Sequence, residues 1–234
     1  MQLKFFGRGA GFTTIEEGHT SAYFENDKTL VLIDCPMTTF FKLKVMNLSK
    51  FDNVDILITH THADHISGLG LFIQFCTFVC KLPVTVIAPS KEVFDDLRTV
   101  LRIEGNEDAW YKLVLFEDVD RNWKISCVLT THSPQLANKC FGYVLNVNNV
   151  KVIYTGDTGN FEDFKPFIEE KSEVYVDTSV YYGQIHLKLT DMLEEYKNLT
   201  KQKVKVYLTH LDYVETAKDI IKDTKNIFVV ELNC

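Results

Sequence analysis

His60-Thr61-His62-Ala63-Asp64-His65 places three imidazoles and a carboxylate within one short stretch. Val54–Thr59, just before it, is an apolar run bounded by turn residues, which suits a buried strand. Ser67, just after it, is placed to cap a helix running to about Lys81. The cluster therefore leaves a strand end in a tight loop. It cannot serve as a hydrophobic face, and packed together without a counter-charge it would be costly to desolvate. A divalent cation resolves that cost, since imidazole and carboxylate suit zinc, iron or manganese. The plain alternative is a solvated polar loop.

Three residues further along favour the metal. His132 ends strand Trp123–Thr130, Asp157 follows strand Lys151–Tyr154, and His210 follows strand Val204–Thr209. A lone His at a strand end is ordinarily structural. Several ligand types at strand ends, where loops gather into one site, reverse that expectation. Ile56-Leu57-Ile58-Thr59-His60 and Val206-Tyr207-Leu208-Thr209-His210 look alike and suggest two related halves.

The rest of the chain alternates strands and helices. Gln2–Phe6 reads as a strand leading into a Gly-rich turn (Gly7, Gly9, Gly11), and Ser21–Glu25 with Thr29–Asp34 as a hairpin. Helices are expected near Phe41–Leu48, Ser90–Leu101, Glu162–Glu169 and Thr190–Leu199. Strands are expected at Val84–Ala88, Trp110–Phe116, Phe141–Val147 and Val174–Asp177, with Thr216–Asp223 and Ile227–Glu231 closing the chain. Such an order suits two packed sheets with helices outside.

A chain of 234 residues buries roughly 70–75% of its unfolded surface and needs no staples. The net charge of −7 argues against a broad nucleic-acid surface. It leaves room for an anionic substrate, because bound divalent cations make a site locally positive. No secretory signal opens the chain, so a cytoplasmic location is expected, and Cys35, Cys76, Cys80, Cys127, Cys140 and Cys234 read as free thiols. Cys76 and Cys80 lack further ligands nearby and read as packing. No apolar run approaches the roughly 20 residues of a membrane helix. The longest, Leu69–Leu82, carries the stripe Phe72, Phe75 and Phe78, which reads as core, with a two-fold dimer contact as the alternative. Trp110 and Tyr111 either anchor their loop or form a lid. Tyr181-Tyr182-Gly183 either packs or offers rings to a nucleobase.

The ligand order HxHxDH, His, Asp, His resembles the metallo-β-lactamase superfamily from Leu3 to His210. That resemblance implies one α/β domain over 1–234, a four-layer αββα sandwich with two related halves. It implies that His60, His62 and His132 hold one metal, that Asp64, His65 and His210 hold a second, and that Asp157 bridges them. Asp34 matches a strand-end Asp expected to support the ligands rather than bind metal. Two divalent ions, zinc by preference with manganese or iron as alternatives, would share a water, lower its pKa toward about 7 and neutralise charge on substrate oxygens. Asp64 could also accept a proton from that water.

Within the superfamily the chain is similar to the ribonuclease Z-like branch. The antibiotic-hydrolysing members use a cysteine near the second metal, where this chain offers Asp157. The glyoxalase II-like members carry a helical domain after the last ligand, where this chain has only Leu211–Cys234. Phe5-Phe6-Gly7-x-Gly9, Gly18-His19-Thr20-Ser21 and Phe141-Gly142-Tyr143 resemble the ribonuclease Z-like branch, as does Asp177-Thr178-Ser179 followed by His186. The resemblance implies an acid–His pair of Asp177 and His186 near the leaving group, although the branch more often has Glu at the acid position. The plain reading of His186 is a surface helix cap. A positioned imidazolium protonates a departing alkoxide, which favours phosphodiesters over lactams. Transfer-RNA processing members carry a basic, Gly-rich arm, whereas Arg102–Trp110 is acidic. The chain thus resembles the small anti-Pycsar phosphodiesterases, which implies a homodimer that opens cyclic mononucleotides to linear monophosphates. The alternatives are a tRNA 3′-processing endonuclease, a lactonase or thioester hydrolase, and a metal-dependent binding module.

Overall fold

The computed structural model describes residues 1–233; Cys234 lies outside them. Among the described residues twelve strands form two six-stranded sheets. The first contains β1 (Lys4–Gly7), β2 (Ser21–Asn26), β3 (Thr29–Ile33), β4 (Asn53–Leu57), β5 (Val84–Ala88) and β6 (Lys112–Leu115) in chain order. The second contains β7 (Lys124–Leu129), β8 (Phe141–Val147), β9 (Val150–Tyr154), β10 (Glu173–Asp177), β11 (Lys205–Thr209) and β12 (Ile227–Val229), again in chain order. In each sheet the first two pairings are antiparallel and the next three parallel. The two halves therefore repeat one topology, as the sequence implied. The echo used to infer it joins strands that are not equivalent, however. His60 follows the fourth strand of its half and His210 the fifth of its own, so the shared Thr-His reflects a common strand-end task.

Side-chain alternation along the strands builds the layers. Leu30, Leu32, Val54 and Ile56 face one core with Leu43, Phe72 and Leu97 from helices. Val31, Ile33 and Leu57 point the other way and meet Tyr154, Tyr175 and Tyr207 between the sheets. Val174, Val176, Val206 and Leu208 pack on the far side against Leu189, Tyr196 and Ala217. These three cores separate four layers: α1 (Met37–Val45), α3 (Leu69–Phe75) and α4 (Lys91–Ile103), then the two sheets, then α5 (Leu189–Lys201) and α6 (Val214–Ile221).

Several local expectations are corrected. The helix after the His-rich loop begins at Ala63, not Ser67: α2 (Ala63–Ile66) runs through a helical Ser67 into α3, then a π-helical turn at Cys76–Cys80. The Ser67 hydroxyl instead accepts from Met37 N (3.0 Å) and so caps α1, whose own cap position is Pro36. The first helix starts at Met37, because Pro36 fixes its entry, and ends at Val45. Glu162–Phe167 is 3₁₀ rather than α, with Pro166 inside it. Residues 63–80 satisfy a membrane helix by length and composition, at mean hydropathy 1.3. Here they carry Asp64 and His65 at one end and bury Leu69, Phe72, Ile73 and Cys76 in the core. Trp110 lies edge-on to Phe78 and Tyr111 is buried, so this pair anchors its loop and the lid alternative falls away. The five described cysteines are free thiols; Cys35, Cys76 and Cys140 are buried, and burial pushes the Cys140 thiol up to about 12.

Glu173 opens β10 and is buried between the sheets' ends. It accepts from Gln2 N (2.6 Å) and Tyr175 OH (2.7 Å). Burial alone would raise its carboxyl, but these hydrogen bonds hold it below the ordinary range. Its stabilising contribution is therefore present above the unfolded value of about 4.3 and fades as pH falls through the lower folded value. The Tm deficit of Glu173→Gln relative to the parent should be largest at pH 7 and shrink below about pH 4. An equal deficit at both would refute the coupling.

Candidate metal centre

The strand ends deliver the polar residues to one edge of the sandwich. Asp34 is one residue past β3, His60 three past β4, His132 three past β7 and Asp157 three past β9; Asp177 ends β10 and His210 follows β11 directly. Two of these ends bend sharply. Asp34 and His210 adopt φ of 62° and 55°, left-handed conformations that cost about 1–3 kcal/mol each in a non-glycine residue. Gly156 relieves a third bend: its φ is 58°, and a Cβ there would meet the Phe141 carbonyl at 2.4 Å.

All seven expected ligands converge. His60, His62 and His132 form one group, with His62 Nδ1 lying 3.0 Å from His60 Nε2 and 3.4 Å from His132 Nε2. Asp64, His65 and His210 form another, with Asp64 Oδ2 lying 3.5 Å from both imidazole Nε2 atoms. Asp157 sits between them. Its Oδ1 is 3.4 Å from His65, and its Oδ2 is 3.3 Å from His210, 3.5 Å from His132 and 3.8 Å from His60.

The opposite ring nitrogens are braced from outside. His65 Nδ1 meets Asp34 Oδ2 at 2.8 Å, His60 Nδ1 meets Thr59 Oγ1 at 3.0 Å, and His132 Nδ1 donates to Ile185 O at 2.9 Å. Asp34 itself accepts from Thr59 N and Oγ1, at 2.8 and 2.7 Å. Such bracing fixes the tautomer that leaves the inner nitrogen a lone pair. His65 Nε2 is fully buried without a hydrogen-bond partner among the described residues.

The electrostatics ask for positive charge. Burial would pull His210 down, but Asp157 and its neighbours push it up to about 10. Burial likewise opposes, and Asp157 and Asp34 overcome, a rise of His65 well above the imidazole range. Asp157 falls well below the carboxylate range despite burial, because His210 and His65 face it. Inward nitrogens, an orphaned buried donor atom and two carboxylates in need of cations fit divalent metal ions. Asp34→Asn should keep the fold but lower metal affinity about 10–100-fold, read by competition with a chelator dye. Unchanged affinity would leave Asp34 only a packing role.

The expected acid–His pair is also formed. His186 Nδ1 lies 2.7 Å from Asp177 Oδ2, and its ring is 5.0 Å from His132 and 4.9 Å from His210. Burial would lower His186, yet the charge and hydrogen bond of Asp177 raise it above the ordinary range. Asp177 Oδ1 is also 3.3 Å from His210 Nδ1, close but not aligned as a hydrogen bond. The residue that sequence reasoning missed is Asp212. Its carboxylate accepts from Ser179 Oγ (2.7 Å) and Val180 N (2.8 Å), tying the His186 loop to the His210 loop. Only its position, two residues after the last ligand, hinted at this.

The family model described as anti-Pycsar protein Apyc1 matches residues 1–233. The anti-Pycsar protein Apyc1 of Bacillus phage vB_BveM-Goe7 is 24% identical over 243 aligned residues, covering 95% of this chain and 93% of that protein. Ribonuclease Z of Clostridium tetani (strain Massachusetts / E88) is 35% identical over 159 residues, covering 63% of this chain and 51% of that protein. The chain thus spans about half the length of that curated relative. The metallo-β-lactamase fold protein YhfI from Bacillus subtilis superposes with a TM-score of 0.75 at 17% identity, over 99% of this chain and 97% of that one. At that identity it speaks to the fold alone.

Proposed function

This chain belongs to the anti-Pycsar protein Apyc1 family, and on that premise we propose that it is a dimetal phosphodiesterase opening small cyclic nucleotides to linear monophosphates. The observation that carries the reading is the Asp177–His186 pair set against the histidine cluster. Lactone and thioester hydrolysis has no need of it.

His60, His62 and His132 would hold one ion and Asp64, His65 and His210 the other, with Asp157 shared. Zinc suits these donors, and manganese or iron fits the same set. Bound there, the ions would supply Lewis acidity and a water nucleophile at neutral pH. Asp64 is the most exposed of the three inward carboxylates, which supports a role for it in taking the attacking water's proton. As the phosphorus–oxygen bond breaks, the leaving alkoxide needs a proton. His186 gives it from Nε2, while Asp177 holds Nδ1–H and steadies the imidazolium.

Identity with ribonuclease Z favours a second reading, a tRNA 3′-processing endonuclease. Against it stand the net charge of −7 and the acidic loop carrying Glu104, Glu107 and Asp108. The deciding experiment incubates metal-quantified protein with cyclic mononucleotides, bis-para-nitrophenyl phosphate and precursor tRNA. Conversion of a cyclic mononucleotide to its linear monophosphate supports the proposal, and cleavage of the tRNA alone promotes the nuclease.

The homodimer belongs to the same proposal. The Phe72 side of helix 63–80 is core, but Leu71, Phe78 and Val79 stay exposed, as do Phe41 and Val45 on α1. Apolar residues concentrated on two packed helices suit a two-fold contact. Phe78→Ser with Leu71→Ser should halve the mass seen by light scattering, and a parent monomer at micromolar concentration would end the idea. The free thiols of the five described cysteines fit a reducing compartment, the cytoplasm.

A further inference from the structure

The loop that carries His186 is held on every side except its tip. Its neck closes between β10 and α5, where Ser179 N donates to Leu187 O (2.9 Å) and Leu189 N to Ser179 O (2.8 Å). On the metal side, Ile185 O accepts from His132, and Gln184 O lies so near Gly159 that a Cβ there would come within 2.7 Å. On the other side Asp212 holds the backbone of Val180 and Tyr181, at 2.8 and 3.3 Å. The same carboxylate accepts from Tyr213 N at 2.9 Å. One acid therefore sets the start of both tyrosines that flank it.

Their rings meet edge to face, with centroids 4.9 Å apart and planes at 85°. An edge-to-face contact consumes one ring face of the four. Tyr181 and Tyr213 nonetheless remain 57% and 55% exposed. Two large rings held in place but left open, on loops that also deliver His186 and His210, are not explained by core packing. Their fixed backbone means that a ligand ring laid on them pays little to order them.

We propose that Tyr181 and Tyr213 form the platform on which the base of a nucleotide substrate stacks while its phosphodiester sits in the His/Asp cluster. This rests on the phosphodiesterase reading above and adds the binding subsite. Stacking on an aromatic face is sequence-tolerant, so the platform supplies affinity for a flat heteroaromatic ring and takes no part in the chemical step.

The test compares 3′,5′-cyclic AMP with the baseless methyl riboside 3′,5′-cyclic phosphate, on the metal-loaded parent, Tyr181→Ala, Tyr213→Ala and Tyr213→Phe. Each Ala variant should raise KM for cyclic AMP about 10-fold with kcat retained. Neither should alter KM for the baseless ester, and the Phe variant should behave as the parent. Parallel losses on both esters would mean that the tyrosines only support the loop and would overturn the platform. So would an unchanged KM for cyclic AMP. A parent that hydrolyses neither ester would sink the phosphodiesterase reading itself, a result separable from both.

Discussion

Asp157→Asn is expected to lower the proposed phosphodiesterase activity about 1,000-fold or more and to leave the purified protein short of divalent metal. The substitution keeps the side chain's shape and removes only its charge. Its two oxygens face four imidazoles from both halves of the cluster, at 3.3 to 3.8 Å. Its carboxylate thus faces imidazoles of both groups at once. An amide can offer a single neutral oxygen there and must turn its NH2 toward nitrogens that need a cation. Losing about 4 kcal/mol of transition-state stabilisation corresponds to about 10³ in rate. Metal content by elemental analysis, read beside activity, separates a lost ion from a misplaced one. The Tm gain on adding metal should shrink in the same variant, because ligand binding to the native state is what produces it. A variant that keeps its ions and remains within tenfold of the parent would show that Asp157 is not the shared ligand.

The cluster was legible in sequence because its chemistry is local: donors crowd into residues 60–65, and no packed core explains them. The strand-end positions of His132, Asp157 and His210 followed from apolar runs that stop just before them. Contacts made across the fold were not legible. Ser67 looks like the cap of the helix that follows it, yet its hydroxyl serves α1, because α1 begins at a Pro36 that cannot cap itself. Asp212 is one acid among many in an acidic chain, and only folding brings the loop at 179–181 onto it. The Thr-His echo was real but misassigned, since two non-equivalent strands carry the same ending for the same purpose. The apolar stripe at 72–78 likewise divides by rotation about its helix. Phe72 turns into the core and Phe78 outward, a difference that periodicity alone leaves open when apolar residues surround the axis.

His186→Ala is the second large effect, and its size should depend on the leaving group. Opening a cyclic nucleotide expels a sugar alkoxide, which needs a proton as it departs; a positioned acid is worth about 10²–10⁴ there. Bis-para-nitrophenyl phosphate expels a phenolate that leaves unaided. The variant should therefore lose about 100-fold or more on the cyclic nucleotide and far less on the nitrophenyl ester. Asp177→Asn probes the same pair from the other side. The carboxylate 2.7 Å from Nδ1 raises His186 above its ordinary value, so the protonated form persists to higher pH while Asp177 is charged. With Asn there, the alkaline limb of kcat against pH should move down, since the proton is then lost earlier. Because Asp177 also lies against His210, metal content must be measured in the same preparation. Equal losses on both substrates would assign His186 to phosphate binding instead of proton delivery. A fully metallated His186→Ala protein with parental rates on the cyclic nucleotide would remove the pair from the mechanism.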